Sequence, residues 1–322
     1  MAKQTIEVIV PVRDMAGHLP KLLRPLMAQL ADGDRVTVVD DASSDDTASV
    51  ARFSGANVVT LTGSKGPYYA RQVAASRSTA DTLLFIDGRC RPLPGLLDAH
   101  RELQRRPGVA LSCTNVRTVW GPTLAARMAA RMQPFMLPRG GGAMKATVGI
   151  VPPRPDYYPT CNLGIDRDAF EKVGGFRAMR GGGDLDICWR IQERSHGTIA
   201  TDTRVLMEWE PRTSIRDLAS QWKRYGNSNA YLRWAHRNDG LGGGTGPAPR
   251  ISPVAAWTTL RTELRRPLSE LAATAVVGIA FQYGYFAARW KQSEFDMPVH
   301  FSVPQAPAPV ERPVSDDPAV AS

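Results

Sequence analysis

The stretch Asp81 to Leu97, DTLLFIDGRCRPLPGLL, constrains this chain more than any other. Thr82–Ile86 is a short, apolar, strand-forming run and reads as a buried strand of a parallel sheet. It stops at Asp87-Gly88-Arg89, a carboxylate and a guanidinium set on a glycine turn. In open α/β sheets this C-terminal edge is where ligands bind. An ordinary strand-end turn with solvated charges would read the same way, so the rest of the chain has to decide.

The flanking sequence repeats the arrangement. Ile6–Val10 is a β-branched run ended by Pro11, and Arg35–Val39 is a strand ending at Asp40-Asp41. Val58–Leu61 is a third short strand. Between them, apolar residues at helical spacing run from Leu19 to Leu30, Ser43 to Asp46 offer caps for a helix over Thr47–Phe53, and Gly66-Pro67 opens a helix over Tyr68–Ser78. Strand and helix alternate, which predicts an α/β fold: a Rossmann-like, mostly parallel sheet flanked by helices. Beyond Pro92 the spacing predicts helices over Leu96–Leu103, Pro122–Met132, Asp166–Val173, Leu185–Arg194 and Arg216–Arg237. Strand-like pieces lie at Val109–Cys113 and Val116–Val119, and loops at Gly140–Gly142 and Pro152–Pro155. The expected organisation is a globular unit over 1–237, a flexible linker over 238–253, a helical segment over 254–302 and a disordered Pro/Ala-rich tail over 303–322. Within that segment Leu268–Trp290 suits a packed helix, an interfacial helix or a weak membrane span.

Composition narrows the function classes. With 43% hydrophobic and 22% charged residues the chain is that of a soluble globular protein. Its net charge of +9 suits anionic partners: nucleotides, polyphosphates or an anionic lipid surface. The excess is local, because Leu103 to Pro155 contains no Asp or Glu. That stretch could equally be a solvated basic face. No nucleic-acid-binding motif is present, so nucleic acid is not an expected partner. Four cysteines, Cys90, Cys113, Cys161 and Cys188, lie far apart, which argues against a zinc site or a disulfide framework. An N-terminus that enters a strand at once carries no secretory signal, so the expected location is cytoplasmic, with the inner face of the cell membrane open to it.

Three of the first four strands end in polar residues: Arg13-Asp14, Asp40-Asp41 and Asp87-Gly88-Arg89. Adjacent parallel strands would bring these ends into one crevice, with Arg71 on the helix before the fourth strand. Carboxylates for base and ribose, with arginines for phosphates, suit a nucleotide. Neither GxGxxG after the first strand nor GxxxxGK[ST] is present, which removes the dinucleotide and P-loop readings.

The ordered series IVPVRD (Ile9–Asp14), VVDDASSDDT (Val38–Thr47), GPYYARQ (Gly66–Gln72), LLFIDGRCRPLPGLL (Leu83–Leu97), TCNLGIDRDAFEKVGGF (Thr160–Phe176), GGDLDICWR (Gly182–Arg190) and QWKRYG (Gln221–Gly226) resembles family 2 of the inverting glycosyltransferases, of GT-A fold. The resemblance implies a nucleotide-binding half over 1–100 and an acceptor half over 101–237. It implies that Pro11, Arg13 and Asp41 frame base and ribose, that Arg71, Asp87 and Arg89 lie at the diphosphate, and that Asp184 is the catalytic base. It places Asp186, Trp189, Glu208, Gln221 and Arg224 on the acceptor or diphosphate side. Asp41 and Asp184 would also serve as helix caps.

The chain departs from the family's pattern at three points. The second aspartate of the DxD metal motif is Arg89, which cannot ligate a metal. Either Asp87 alone holds Mg²⁺ or Mn²⁺, or Arg89 supplies the positive charge and the reaction is metal-independent. Glu208 stands where the family often has a histidine, and Arg13 where it has an aromatic. The expected function is transfer of one sugar from a nucleotide-diphospho-sugar to an acceptor hydroxyl with inversion. The acceptor would be lipid-linked or anionic, in cell-envelope glycan or glycolipid synthesis, or a natural product. A catalytically silent nucleotide-sugar-binding protein is the alternative of a different class.

Overall fold

The computed structural model describes residues 4–138, 142–144, 156–179, 181–238 and 267–303. The expected linker and tail lie outside these, except residues 238 and 303. Eight strands form one sheet: β1 (Ile6–Val12), β2 (Arg35–Asp40), β3 (Asn57–Thr60), β4 (Thr82–Ile86), β5 (Cys90–Pro92), β6 (Val109–Thr118), β7 (Asn162–Asp166) and β8 (Thr198–Trp209). Their order is β3-β2-β1-β4-β7-β6-β8-β5. β1, β2, β3 and β4 run parallel to one another, β7 is antiparallel to both β4 and β6, and β8 is parallel to β6.

The helices follow the expected spacing. They are α1 (Leu19–Met27), α2 (Thr47–Phe53), α3 (Pro67–Ala75), α4 (Leu96–Gln104), α5 (Leu124–Met132), α6 (Arg167–Lys172), α7 (Gly183–Arg194), α8 (Ile215–Ala235) and α9 (Leu268–Trp290). Ser and Asp mark the starts where the sequence places them: Ser214 caps α8 by accepting from Asp217 N, and Asp166 caps α6 by accepting from Ala169 N. β1 and β4 are apolar on both faces because helices cover both, and their residues from Ile6 to Val10 and Leu83 to Ile86 are buried. Pro11 sits inside β1 without breaking the sheet, since the ladder to β4 ends at Ile9 and Pro11 pairs only with Val39 of β2.

One expectation is corrected, and two strands stand where none was expected. Val109–Cys113 and Val116–Val119 are one strand, β6, bent by register shifts against β8 around Thr114 and Asn115. β8 was not expected, because Asp202-Thr203-Arg204 interrupts its apolar pattern at the same bend. β7 was not expected either: its Gly164 reads as a breaker, yet a Cβ there would lie 2.3 Å from Ser112 Oγ. That glycine is what lets β7 lie against the buried Ser112–His100 pair.

α9 packs along α8 at two reciprocal glycines. A Cβ on Gly226 would lie 2.0 Å from the Phe281 carbonyl oxygen, and one on Gly284 2.1 Å from that of Lys223. The opposite face of α9 carries exposed Leu268, Val276, Ile279, Tyr283, Phe286 and Trp290, one apolar stripe along its whole length. By length and composition α9 could cross a membrane.

Candidate active site

The strand order puts the C-terminal ends of β2, β1 and β4 side by side, so the three polar ends meet at one edge. Asp14 adopts a left-handed backbone (φ 52°) and its carboxylate accepts from Ser44 N at 2.8 Å, which ties the β1 end to the loop after β2. Arg13 is exposed at this rim beside Asp14. Asp41 does not cap α2, whose N-cap is Asp46. Its buried carboxylate instead accepts from Ser64 Oγ (2.8 Å), Lys65 N (2.7 Å) and Gly66 N (3.0 Å). It thereby fixes the approach to α3.

A chain of side chains then runs from β4 to α7. Arg71, buried on α3, places Nη2 2.5 Å from Asp87 Oδ1. Its guanidinium carbon stands 5.4 Å from the centroid of the Tyr68 ring, one turn earlier on the same face. The Tyr68 hydroxyl donates to Asp184 Oδ1 at 3.3 Å. Arg71 Nε is buried and has no hydrogen-bond partner. Asp184 lies within the first turn of α7, not ahead of it, and Gly182 (φ 78°) is the N-cap. A carboxylate there is favoured by the helix dipole. Burial nevertheless raises the Asp184 pKa above the ordinary value, while Arg71, nearby N–H groups and the Tyr68 hydroxyl pull it back.

Gly181–Gly183 are close-packed. Side chains there would strike Ser228 Oγ at 2.1 Å, Leu232 Cδ1 at 2.5 Å and the Tyr68 ring at 2.9 Å, respectively. These glycines let the start of α7 wedge between α3 and α8. Tyr157 and Tyr225 complete the surroundings of Asp184. Burial, with the Asp184 charge adding to it, pushes the Tyr157 phenol up to about 12, and the Asp184 charge also raises the partly exposed Tyr225. The Asp87 charge contributes at Tyr225 as well.

A second group borders this one. Gln221 on α8 accepts from Arg212 Nε at 3.2 Å and donates to the Tyr225 hydroxyl at 2.6 Å. Arg89 is joined to the same corner through its carbonyl, which accepts from Glu210 N at 2.9 Å. Burial, and then the neighbouring Arg212 charge, lower the pKa of both Arg89 and Arg224. Arg212 thus acts on both Arg89 and Arg224, and among the described residues no carboxylate forms an ion pair with any of the three.

Three expected site residues lie elsewhere. Asp186 is fully buried and held by Arg190 (2.6 Å), His236 (3.1 Å) and Arg177 (3.4 Å). Burial alone would raise its pKa, but these donors and charges outweigh it and hold it at about 2. Trp189 is fully buried against His236. At about 100° per residue Asp186 is turned about 200° and Trp189 about 140° from Asp184, so neither shares its face. Glu208 is a cross-strand ion-pair residue, 2.5 Å from Arg117 and 3.5 Å from Arg91. Within the acid-free stretch Arg117 pairs with Glu208, and Arg131 pairs with Glu270 at 3.2 Å, while Arg105 and Arg106 are exposed.

The residues present fit a divalent cation poorly. Hard cations take several oxygen ligands. Asp87 is a single carboxylate with one oxygen already on Arg71, Arg89 follows it, and no group of three His, Cys, Asp or Glu gathers among the described residues. Sequence reasoning missed Tyr68, Tyr157, Tyr225 and Arg212. Two of them lay inside motifs already singled out, Tyr68 three before Arg71 in GPYYARQ and Tyr225 four after Gln221 in QWKRYG.

The model for Glycosyl transferase family 2 matches residues 7–180, and the chain belongs to that family. It is 31% identical over 238 residues to the pre-mycofactocin glycosyltransferase of Mycobacterium tuberculosis, covering 72% of this chain and 48% of that protein. The chain thus spans about half the length of that relative. It is 25% identical to glycosyltransferase AglE of Haloferax volcanii, over 69% of this chain and 71% of that one. A mannosyltransferase from Pyrobaculum calidifontis, solved with GDP-Man and Mn²⁺, superposes with a TM-score of 0.54 at 19% identity, over 89% of this chain and 84% of that chain. That likeness is one of fold, and the fold is of GT-A type.

Proposed function

We propose that the chain transfers one sugar from a nucleotide-diphospho-sugar to an acceptor hydroxyl, with inversion at the anomeric carbon. The observation that carries this reading is the line Asp87–Arg71–Tyr68–Asp184, which joins the nucleotide edge of the sheet to a desolvated carboxylate. Base and ribose lie against the ends of β1 and β2, at Pro11, Arg13 and the loop that Asp41 holds. The acceptor hydroxyl gives its proton to Asp184 as its oxygen bonds to the anomeric carbon. The bond to the diphosphate breaks on the opposite side, and the nucleoside diphosphate leaves with the electron pair. A desolvated carboxylate with a raised pKa is a stronger base than one in water.

The acceptor side is formed by Tyr157, Tyr225 and α8, and α8 is backed by the apolar stripe of α9. Lys223 stands 4.7 Å over the Tyr283 ring, and Arg289 and Lys291 flank the C-terminal end of the stripe. An apolar face rimmed by cations suits an anionic lipid surface, and so a membrane-borne acceptor. The relative named for pre-mycofactocin supports a natural product as the second acceptor class. The test is Asp184→Asn: transfer from a matched donor is expected to fall by roughly 10²–10⁴-fold while donor binding persists. Unchanged transfer would remove Asp184 as the base.

A further inference from the structure

We infer that Arg89, Arg212 and Arg224 form an anion clamp that holds the donor's diphosphate and takes the place of a divalent cation. This deepens the transferase reading and rests on it. Leaving-group charge needs a positive partner, and the residues at Asp87 do not supply a ligand set for a metal ion. Arg71 is not the partner: it is buried and neutralises Asp87. Arg89 occupies the position where a second metal-binding carboxylate would stand. Its carbonyl is tied to Glu210, so its backbone is fixed beside the start of the Arg212 loop.

Gln221 orients Arg212 and hands on to the Tyr225 hydroxyl, which faces the Asp87 and Asp184 charges. Arg212 is thereby tied through Gln221 to Tyr225, and Arg89, two residues after Asp87, is tied through its carbonyl to Glu210 at the start of the same loop. Like charges repel one another, and Glu210 and Asp217 offset this only in part without forming an ion pair to any of the three, so an entering anion relieves the repulsion. Partial burial and then the Arg212 charge lower the Arg89 pKa, against the opposing pull of Glu210 and Asp217. Glu210, two residues before Arg212, is committed to Lys21 (2.7 Å) and His18 (3.1 Å), and Asp217 accepts from Ser214 Oγ at 2.8 Å. Planar guanidiniums match the oxygens of a diphosphate in pairs, which a lysine cannot do.

The experiment is calorimetric titration of the full chain with UDP, GDP and dTDP, each in EDTA and in Mn²⁺. One of these nucleotides is expected to bind with the same affinity in both buffers, within about twofold. Arg89→Ala and Arg212→Ala are each expected to weaken it roughly 10- to 100-fold, the worth of a charge-assisted hydrogen bond. The same variants leave the binding of the matching nucleoside, which lacks the diphosphate, unchanged. Arg89→Asp restores a second carboxylate, so its nucleotide binding is expected to vanish in EDTA and return with Mn²⁺. Arg89→Lys, which keeps charge and size, checks that a loss is not misfolding: partial binding is expected. Wild-type binding that requires Mn²⁺ would overturn the clamp and leave the transferase reading standing. Failure of all three nucleotides in both buffers would overturn the transferase reading and the clamp with it.

Discussion

Asp184 and Asp186 stand two residues apart on one helix and live in opposite environments. Asp184 is raised by desolvation, and Asp186 is held at about 2 by Arg190, His236 and Arg177. A group disfavoured in its charged form costs stability once it ionises. Asp184→Asn is therefore expected to raise the melting temperature at pH 7 even as it removes transfer. The gain should shrink as pH falls through the raised pKa, where the wild-type carboxyl becomes neutral, and vanish near pH 3. Thermal melts of both proteins across that range check it, and equal melting at pH 7 would contradict the desolvation argument. Asp87, Arg71 and Asp184 were legible because each sits in a motif whose neighbours are also chemical. Asp186 and Trp189 were misplaced because closeness in sequence to Asp184 was read as closeness in space, against the 3.6-residue period. Tyr68, Tyr157 and Tyr225 were not legible as a set, since only the tertiary fold gathers residues so far apart around one carboxylate.

Among the elements, α8 and α9 carry the clearest mechanical logic. Their axes approach closely because Gly226 and Gly284 each face a backbone carbonyl. Gly226→Ala is expected to destabilise by about 1–3 kcal/mol through overpacking. Gly278, also on α9, has open space where its Cβ would stand. Gly278→Ala is expected to stabilise by up to about 1 kcal/mol, because alanine is the better helix former. Opposite shifts in melting temperature for the two alanines check the packing. The exposed stripe predicts co-flotation with phosphatidylglycerol vesicles, lost on replacing Ile279 and Phe286 by Asp and weakened by salt. Flotation that survives the double change would place the contact elsewhere. The apolar run of α9 was plain in the sequence, but its two faces were not. Which residues face α8 depends on where the glycines meet, and that is a property of the pair of helices.

For the whole molecule, one sheet joins the strands before and after Pro92. The alternation in the first part made its parallel half readable; the second half closes through β7 and β8, where a bend and a glycine hide the strand pattern. At that junction His100 of α4 is buried between Ser112 Oγ (2.8 Å) and Asn162 Oδ1 (3.0 Å), and burial lowers its pKa to about 4. The folded state then holds a neutral imidazole that the unfolded chain protonates below pH 6.5, so stability rises with pH in this window. A loss of about 3 kcal/mol is expected between pH 6.5 and pH 4. A further loss follows from about pH 4 down to 2 as Asp186 is protonated. Urea unfolding at stepped pH checks both, and a flat profile above pH 4.5 would refute the first. The glycine crossing has one more consequence. Tyr225 lies next to Gly226, so the same contact that seats α9 also sets the height of the reaction centre above the apolar stripe. On the proposed reading, in which that stripe rests on a bilayer, the crossing would act as a ruler: an acceptor hydroxyl would stand off the lipid surface by one fixed distance. Acceptors differing only in the length of a polar spacer would then be sorted by reach, with a single preferred length.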